Sequence, residues 1–317
     1  MTLSTRSPAV YVRGLRKTYG DQTVLDGIDL DVPAGTVFAL LGPNGAGKTT
    51  TVHVLSTLIA PDSGEVVVAG HDLRKDPNGI RRAIGVTGQF SAVDKLLTVE
   101  ENLRLMADLH RLGRAEGGQR IASLLARFEL ADAARKTAQS CSGGMRRKLD
   151  LAMTLVGEPS VVFLDEPTTG LDPRARKVLW DTVSELVADG ITIVLTTQYL
   201  DEADALADTV AVIDEGRVVA QGTPAELKRR VHGGNVRLHL ADKRAFDAAA
   251  QAFPNGTAGV DDAVLTIPGA TDVAGLRAVL DHLDALGVEP DHLEVTAPNL
   301  DDVFFALTDS TTRKVAP

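Results

Sequence analysis

Eight consecutive residues, Gly42-Pro43-Asn44-Gly45-Ala46-Gly47-Lys48-Thr49, fit the pattern GxxxxGK[ST] and directly follow the apolar run Val37-Phe38-Ala39-Leu40-Leu41. A buried strand that runs through a glycine-rich turn into a helix lets backbone N–H groups converge on a phosphate. Gly42, Gly45 and Gly47 allow the tight turn and keep side chains out of the way. The helix that follows adds unpaired N–H groups and a partial positive charge. Lys48 reaches the outer phosphates as a point charge, and Thr49, with Thr50 beside it, offers a hydroxyl to Mg²⁺. The pattern in this setting predicts a nucleotide site rather than a plain strand-to-helix turn.

Two further segments extend the reading. The apolar run Val161-Val162-Phe163-Leu164 ends at Asp165-Glu166. A buried parallel strand there puts two adjacent carboxylates at its carboxyl end, where ligands bind in open α/β sheets. Upstream lies Cys141-Ser142-Gly143-Gly144-Met145-Arg146-Arg147-Lys148-Leu149. Ser142 suits a helix cap, and the two glycines permit close backbone approach, so this is a second anion-site candidate.

Together these motifs resemble the ATP-binding cassette family, over about residues 8 to 225. The resemblance implies that Ser142, Gly143 and Gly144 face the γ-phosphate of an ATP held by the opposite subunit, so that one nucleotide joins two chains. It implies that Asp165 holds Mg²⁺ through water, with Thr49 and Gln89 as further metal contacts, and that Glu166 is the general base for the attacking water. Asp172, in Pro167-Thr168-Thr169-Gly170-Leu171-Asp172, would contact the partner's site, and Tyr19, in Lys17-Thr18-Tyr19-Gly20, would stack on adenine. Gln89, after Gly85-Val86-Thr87-Gly88, matches the glutamine that links the core to a helical insert.

One position departs from the family pattern. After Ile191-Thr192-Ile193-Val194-Leu195-Thr196-Thr197, most cassette ATPases place a histidine facing the γ-phosphate, and this chain has Gln198. An amide donates an N–H bond but cannot become a cation. ATP binding is therefore expected to survive, and the rate of hydrolysis is the property at stake. The same Gln within Thr196-Thr197-Gln198-Tyr199-Leu200-Asp201-Glu202-Ala203-Asp204 resembles a narrower branch, the ATP-binding subunits of daunorubicin/doxorubicin-resistance-type exporters. Two other segments carry the branch resemblance over nearly the whole chain: the run from Gly143 to Ala152, and Leu300-Asp301-Asp302-Val303-Phe304-Phe305-Ala306-Leu307-Thr308.

The resemblance implies an ATP-hydrolysing subunit that uses ATP and Mg²⁺ to power export of a drug, antibiotic or lipid-like molecule. Its partners would be a second copy of itself and a separate multi-span permease holding it at the cytoplasmic face of the membrane. The alternatives are a lipid or polyketide exporter, an importer, or a cassette ATPase acting on ribosomes or nucleic acid. The last is disfavoured. The chain has one phosphate loop, only the 52 residues 90 to 141 separate Gln89 from Ser142, and the formal charge of −10 opposes a surface that tracks nucleic-acid phosphates.

At 317 residues and 44% apolar content, one large domain and a small one are expected. No apolar run approaches the roughly 18 residues of a membrane span. The single cysteine forbids an internal disulfide, and no charged-then-apolar leader opens the chain, so a reducing cytosol is the expected home.

The fold expected is α/β, a phosphate-loop ATPase core over residues 1–225 with a helical subdomain at about 90–156. A linker at 226–235 would then lead to a C-terminal α+β domain at 236–317. Thr98 and Glu101 form a capping-box pattern, followed by stripes at helical spacing: Leu103, Met106, Leu109, Leu112, then Ile121, Leu124, Leu125, Phe128. Arg146, Arg147 and Lys148 read by default as a solvated helix face, with a phosphate-sensing or inter-subunit contact as the alternative, and Asp201, Glu202 and Asp204 as a helix N-terminal turn. Cys141, just before the Ser-Gly-Gly turn, is expected to be open and reactive in the separate subunit.

Beyond His232-Gly233-Gly234-Asn235 the pattern reads βαββαβ. Strands are expected at Val236–Leu240, around Leu265 and at Leu293–Thr296, and helices over Phe246–Phe253 and along Leu276, Val279, Leu280 and Leu283. A last helix is expected from Leu300 to Leu307. This portion has no motif of its own and reads as a regulatory or dimer-supporting appendage or as a small-ligand sensor.

Overall fold

The computed structural model describes residues 8–88, 92–229, 234–258, 263–269, 273–296, 299–300 and 302–304. The chain divides after Thr223 into two compact units.

In the first unit β1 (Val10–Tyr19) and β2 (Gln22–Val32) form an antiparallel pair, and β3 (Val37–Leu41) leads through the glycine loop into α1 (Lys48–Leu55). Then come β4 (Ser63–Val68), β5 (His71–Asp72), α2 (Pro77–Ala83) and β6 (Ile84–Thr87). The helical insert holds α3 (Val99–Leu109), α4 (Arg114–Arg127) and α5 (Gly143–Leu155). The chain returns through β7 (Val161–Asp165), α6 (Pro173–Ala188), β8 (Thr192–Thr197), α7 (Leu200–Leu206), β9 (Thr209–Asp214) and β10 (Arg217–Gly222).

One sheet is antiparallel with order β2-β1-β4-β5; the other runs β10-β9-β3-β8-β7-β6 and is parallel except at its β10 edge. Every residue of β3, β7 and β8 is buried, as continuous apolar runs require in a sheet covered on both faces. One core joins Leu15, Leu25 and Ile28 of the antiparallel sheet to Phe38, Leu40 and Phe163 of the parallel sheet and to Val54 and Leu55 of α1. Each such side chain contributes about 1.5–3 kcal/mol when fully buried. The register sets Leu41 opposite Thr197 and Asp165 opposite Thr196. The carboxyl ends of β3, β8 and β7 thus lie side by side.

The insert opens on the expected capping box: Glu101 N donates to Thr98 Oγ1 at 3.2 Å, and Thr98 N donates to Glu101 Oε2 at 2.8 Å. The second stripe is buried as expected. The first is not: Leu103 is buried, but Leu109 is 67% exposed and Leu112 lies beyond the helix end. The buried face instead carries Val99, Asn102, Leu103 and Ala107. Asn102 can be interior because its amide is well satisfied. It donates to Asp94 O at 3.0 Å and Thr98 O at 2.9 Å, and its oxygen accepts from Asp94 N at 2.8 Å.

The second unit contains α8 (Pro224–Arg229), β11 (Asn235–Leu240), α9 (Lys243–Ala252), β12 (Thr257–Ala258), β13 (Val264–Pro268), α10 (Val273–Leu286) and β14 (Pro290–Thr296). From β11 onward this is the expected βαββαβ order, as an antiparallel sheet β12-β13-β11-β14 with the helices α9 and α10. Val236, Leu238, Leu240, Leu265, Val279 and Leu283 belong to its core. Leu276 packs against that core, while Leu280 is largely solvent-facing. Leu300 and Asp302–Phe304 are helical; Asp301 and residues 305–307 of the expected last helix lie outside the described residues. Among the described residues no helix is long and apolar enough to cross a membrane.

Candidate functional site

The glycine loop is held from both sides. Gly42 N donates to Thr197 O at 3.4 Å, and Gly216 N donates to Ala46 O at 3.1 Å. A Cβ on Gly42 would sit 2.2 Å from Ile213 O, so a larger residue would displace the loop. Gly47 adopts φ 105° as the residue preceding α1 and supplies no side-chain cap, which leaves the first-turn N–H groups directed into the loop. Pro43, Asn44, Gly45 and Ala46 complete the turn, and Thr50 lies on the first turn of α1 beside Thr49.

Lys48 is buried, and its Nζ donates to Gly42 O at 2.8 Å and Pro43 O at 2.9 Å. Burial lowers the ammonium pKa; the Glu166 and Asp165 carboxylates oppose that shift. An ammonium has three N–H donors, so one is left for an anion in the loop.

Asp165, at the buried end of β7, accepts from Thr49 Oγ1 at 3.1 Å and from Thr196 Oγ1 at 2.5 Å. Glu166 leaves the strand with φ 46°, a left-handed conformation that costs a non-glycine residue of order 1–3 kcal/mol. Two bonds hold it there: its N–H reaches Thr196 Oγ1 at 3.0 Å and Thr196 O at 3.2 Å. Its carboxylate is half-buried and accepts from Thr169 Oγ1 at 3.2 Å. Gln198 is half-buried immediately after β8, and Tyr19, the last residue of β1, is 50% exposed with Lys17 Nζ 5.3 Å from its ring centroid. Gln89 lies outside the described residues.

Ser142 caps α5 as expected, accepting from Met145 N at 3.2 Å. Asp172 caps α6, accepting from Ala175 N at 2.8 Å, ahead of Pro173 at the first helical position. Ser142, Gly143, Gly144 and Asp172 share a groove of about 440 Å³. Among the described residues that line it there is none from the glycine loop, and Asp165, Glu166 and Gln198 are absent too. A Cβ on Gly143 would meet nothing within 4 Å, so this chain's own packing does not require a glycine there. One chain therefore presents two separate groups of motif residues.

A family model for the ABC transporter domain matches residues 25–169. Over 302 residues the chain is 47% identical to the daunorubicin resistance ATP-binding protein DrrA3 of Streptomyces coeruleorubidus, covering 95% of this chain and 96% of that protein. The chain belongs to the ABC transporter ATP-binding proteins. It is 42% identical over 316 residues to the doxorubicin resistance ATP-binding protein DrrA of Mycobacterium tuberculosis, across 97% of this chain and 96% of the relative. A solved ATP-binding subunit of an ABC transporter matches with TM-score 0.63 and 33% identity, over 70% of this chain and 92% of that one. Like its family, this ABC protein binds ATP and is an ATPase.

Three expectations are corrected in this ABC protein. Arg147 is not on a solvated face: its side chain is 13% exposed and its Nη1 lies 3.1 Å from Asp150 Oδ2. Glu202 is not an exposed helix-turn acid but is fully buried. Cys141 is buried, with Sγ 3.7 Å from Thr137 O, because the short turn Ala138–Ser140 directs it inward. Thr196 was assigned no role from the sequence although it bonds both carboxylate residues; its signal was a Thr-Thr pair that follows the apolar run Ile193-Val194-Leu195.

Proposed function

We propose that this ABC protein hydrolyses ATP between two of its own copies, and that the cycle powers export of a drug-like or lipid-like molecule through a separate membrane-spanning partner. The observation that carries the two-copy reading is the separation just described. The glycine loop with Asp165, Glu166 and Gln198 forms one cluster, and Ser142, Gly143, Gly144 and Asp172 line a groove apart from it. Two copies related by a twofold axis bring each cluster against the other's groove.

In this reading the loop N–H groups and Lys48 bind the phosphates, Tyr19 stacks on adenine, and the partner copy's Ser142 turn covers the γ-phosphate. Glu166, its backbone N–H held by Thr196 Oγ1 and Thr196 O, accepts the proton of the attacking water, and Gln198 donates an N–H to the outer phosphate. The Thr49 hydroxyl and the Asp165 carboxylate, 3.1 Å apart, are hard oxygen donors suited to Mg²⁺, and Gln89 would join them. Bound there, Mg²⁺ supplies positive charge against the phosphate oxygens. The drug-type cargo is proposed from the names of the relatives, and a place at the cytoplasmic face follows from the membrane partner. The second unit, with its own core, is assigned a regulatory or dimer-supporting role.

Mixing two inactive variants tests the composite site. A Lys48→Ala chain keeps an intact Ser142 turn, and a Ser142→Arg chain keeps an intact loop. Their mixture contains heterodimers with one complete site and should recover about a quarter of wild-type turnover. A mixture no more active than its parents would overturn the two-copy reading.

A further inference from the structure

A buried polar cluster joins α5, α6 and α7, and its Arg147 comes from the segment that carries the Ser-Gly-Gly turn. Glu202, in the first turn of α7, has no exposed surface. Its Oε1 accepts from the Trp180 indole N–H at 3.4 Å, and its Oε2 has no hydrogen-bond partner. Burial raises its pKa, against the influence of Thr197, Thr168 and Trp180; Asp201 adds to the rise. Thr168 Oγ1 is itself buried and falls short of a hydrogen bond.

Arg147, on α5, uses Nη1 for Asp150, while its Nε and Nη2 are buried without partners. Burial lowers the guanidinium pKa, and the Asp150 and then the Glu202 carboxylate oppose that shift. A buried cation and a buried carboxyl group that interact through the protein interior, each with unused hydrogen-bonding atoms, form an arrangement that closer approach relieves.

The cluster's position gives that approach a consequence. Arg147 rides on the helix whose first residues follow Ser142. Thr168 lies in the loop between Glu166 and Asp172, and Thr197 directly precedes Gln198. We infer that Arg147 and Glu202 are positioning residues for ATP hydrolysis, forming a direct contact when nucleotide binding draws α5 toward α7 and so holding the Ser142 turn and the Gln198 segment in register. This rests on the nucleotide-site reading above. Arg147 lines the groove of the Ser142 turn and Glu202 does not, and both act through α5 and α7.

Trp180 is the chain's one tryptophan and is bonded to Glu202, so its fluorescence reads the cluster directly. The test uses the full chain as wild type, Glu202→Gln, Arg147→Met, the double variant and Lys48→Ala, measuring nucleotide affinity, kcat and the Trp180 response to ATP with Mg²⁺. The Gln variant keeps an acceptor for the indole. We expect both single variants to bind ATP within about twofold of wild type, lose about tenfold in kcat, and lose the Trp180 response. The double variant should lose no more than either single one, because both remove the same contact. Arg147→Lys should recover part of kcat, and it replaces Arg147→Met if that chain does not fold.

Wild-type kcat with a full Trp180 response in either single variant, or losses that multiply in the double variant, would overturn the inference. Lys48→Ala separates the two claims: it should lose nucleotide binding and with it the Trp180 response. Tight ATP binding by Lys48→Ala would overturn the site reading instead.

Discussion

The Thr49 hydroxyl and the Asp165 carboxylate stand 116 residues apart in sequence and 3.1 Å apart in space. They meet because β3 and β7 flank β8 in one parallel sheet, which brings the start of α1 against the end of β7. Asp165→Asn keeps an oxygen that can accept from Thr49 and Thr196 but removes the charge a divalent cation needs. ATP titrations with and without Mg²⁺ should show the Mg²⁺-dependent gain in affinity reduced about tenfold or more, with Mg²⁺-free binding nearly unchanged. An unchanged Mg²⁺ effect would remove Asp165 from the metal site.

Lys48 and Tyr19 are assigned to different parts of one ligand. Lys48→Ala should weaken ATP, ADP and tripolyphosphate alike, because each presents phosphates to the loop. Tyr19→Ala should weaken ATP and ADP by about 1–3 kcal/mol, the range for aromatic stacking on a base, and spare tripolyphosphate. Comparative titration with the three ligands separates the roles. A Tyr19→Ala chain that binds ATP normally would show that its half-exposed ring packs rather than stacks.

Gln198→His tests the departure from the common cassette pattern. If the amide limits hydrolysis by lacking a cationic form, the histidine variant should keep nucleotide affinity and match or exceed wild-type turnover in a steady-state phosphate-release assay. Loss of turnover with intact folding would show that the surrounding residues are fitted to the amide.

Glu202 also makes a prediction about pH. Burial raises its carboxyl above the ordinary 4.5, so the folded chain holds that proton more tightly than the unfolded chain. Its contribution is fully present below about 4.5 and is lost as the pH rises through the folded value. The groups around it are Arg147 from α5, Trp180 from α6, Thr168, Thr197 and the neighbouring Asp201. Glu202→Gln has no such proton, so its stability relative to wild type should grow as pH increases from about 4.5. Urea unfolding of both chains over a pH series measures this, and a difference that stays constant with pH contradicts it.

What the sequence made legible was local. Glycine spacing, the short apolar runs Val37–Leu41 and 161–164 and the Thr98–Glu101 box each act within a few residues, and the structure carries all three. Arg147 and Glu202 were misread because a charged residue near a helix start looks solvated. Their burial comes from the packing of α5, α6 and α7, segments that no local pattern brings together. Leu109 failed for the same reason in reverse. Leu109, the last residue of α3, is exposed although it fits the spacing, while Asn102, whose amide is satisfied, is buried. Cys141 followed a turn that local charge could not reveal.

The central claim is that Glu166 is the base of a site completed by a second copy. Glu166→Gln keeps the backbone bonds to Thr196 and removes the proton acceptor, so turnover should fall about 10²–10⁴-fold while ATP binding remains. Size-exclusion chromatography with light scattering, with and without ATP, should then show the Glu166→Gln chain shift from its 33.5 kDa mass to twice that value when ATP is present. A species that stays monomeric with ATP and hydrolyses it at the wild-type rate would contradict both the base assignment and the shared site.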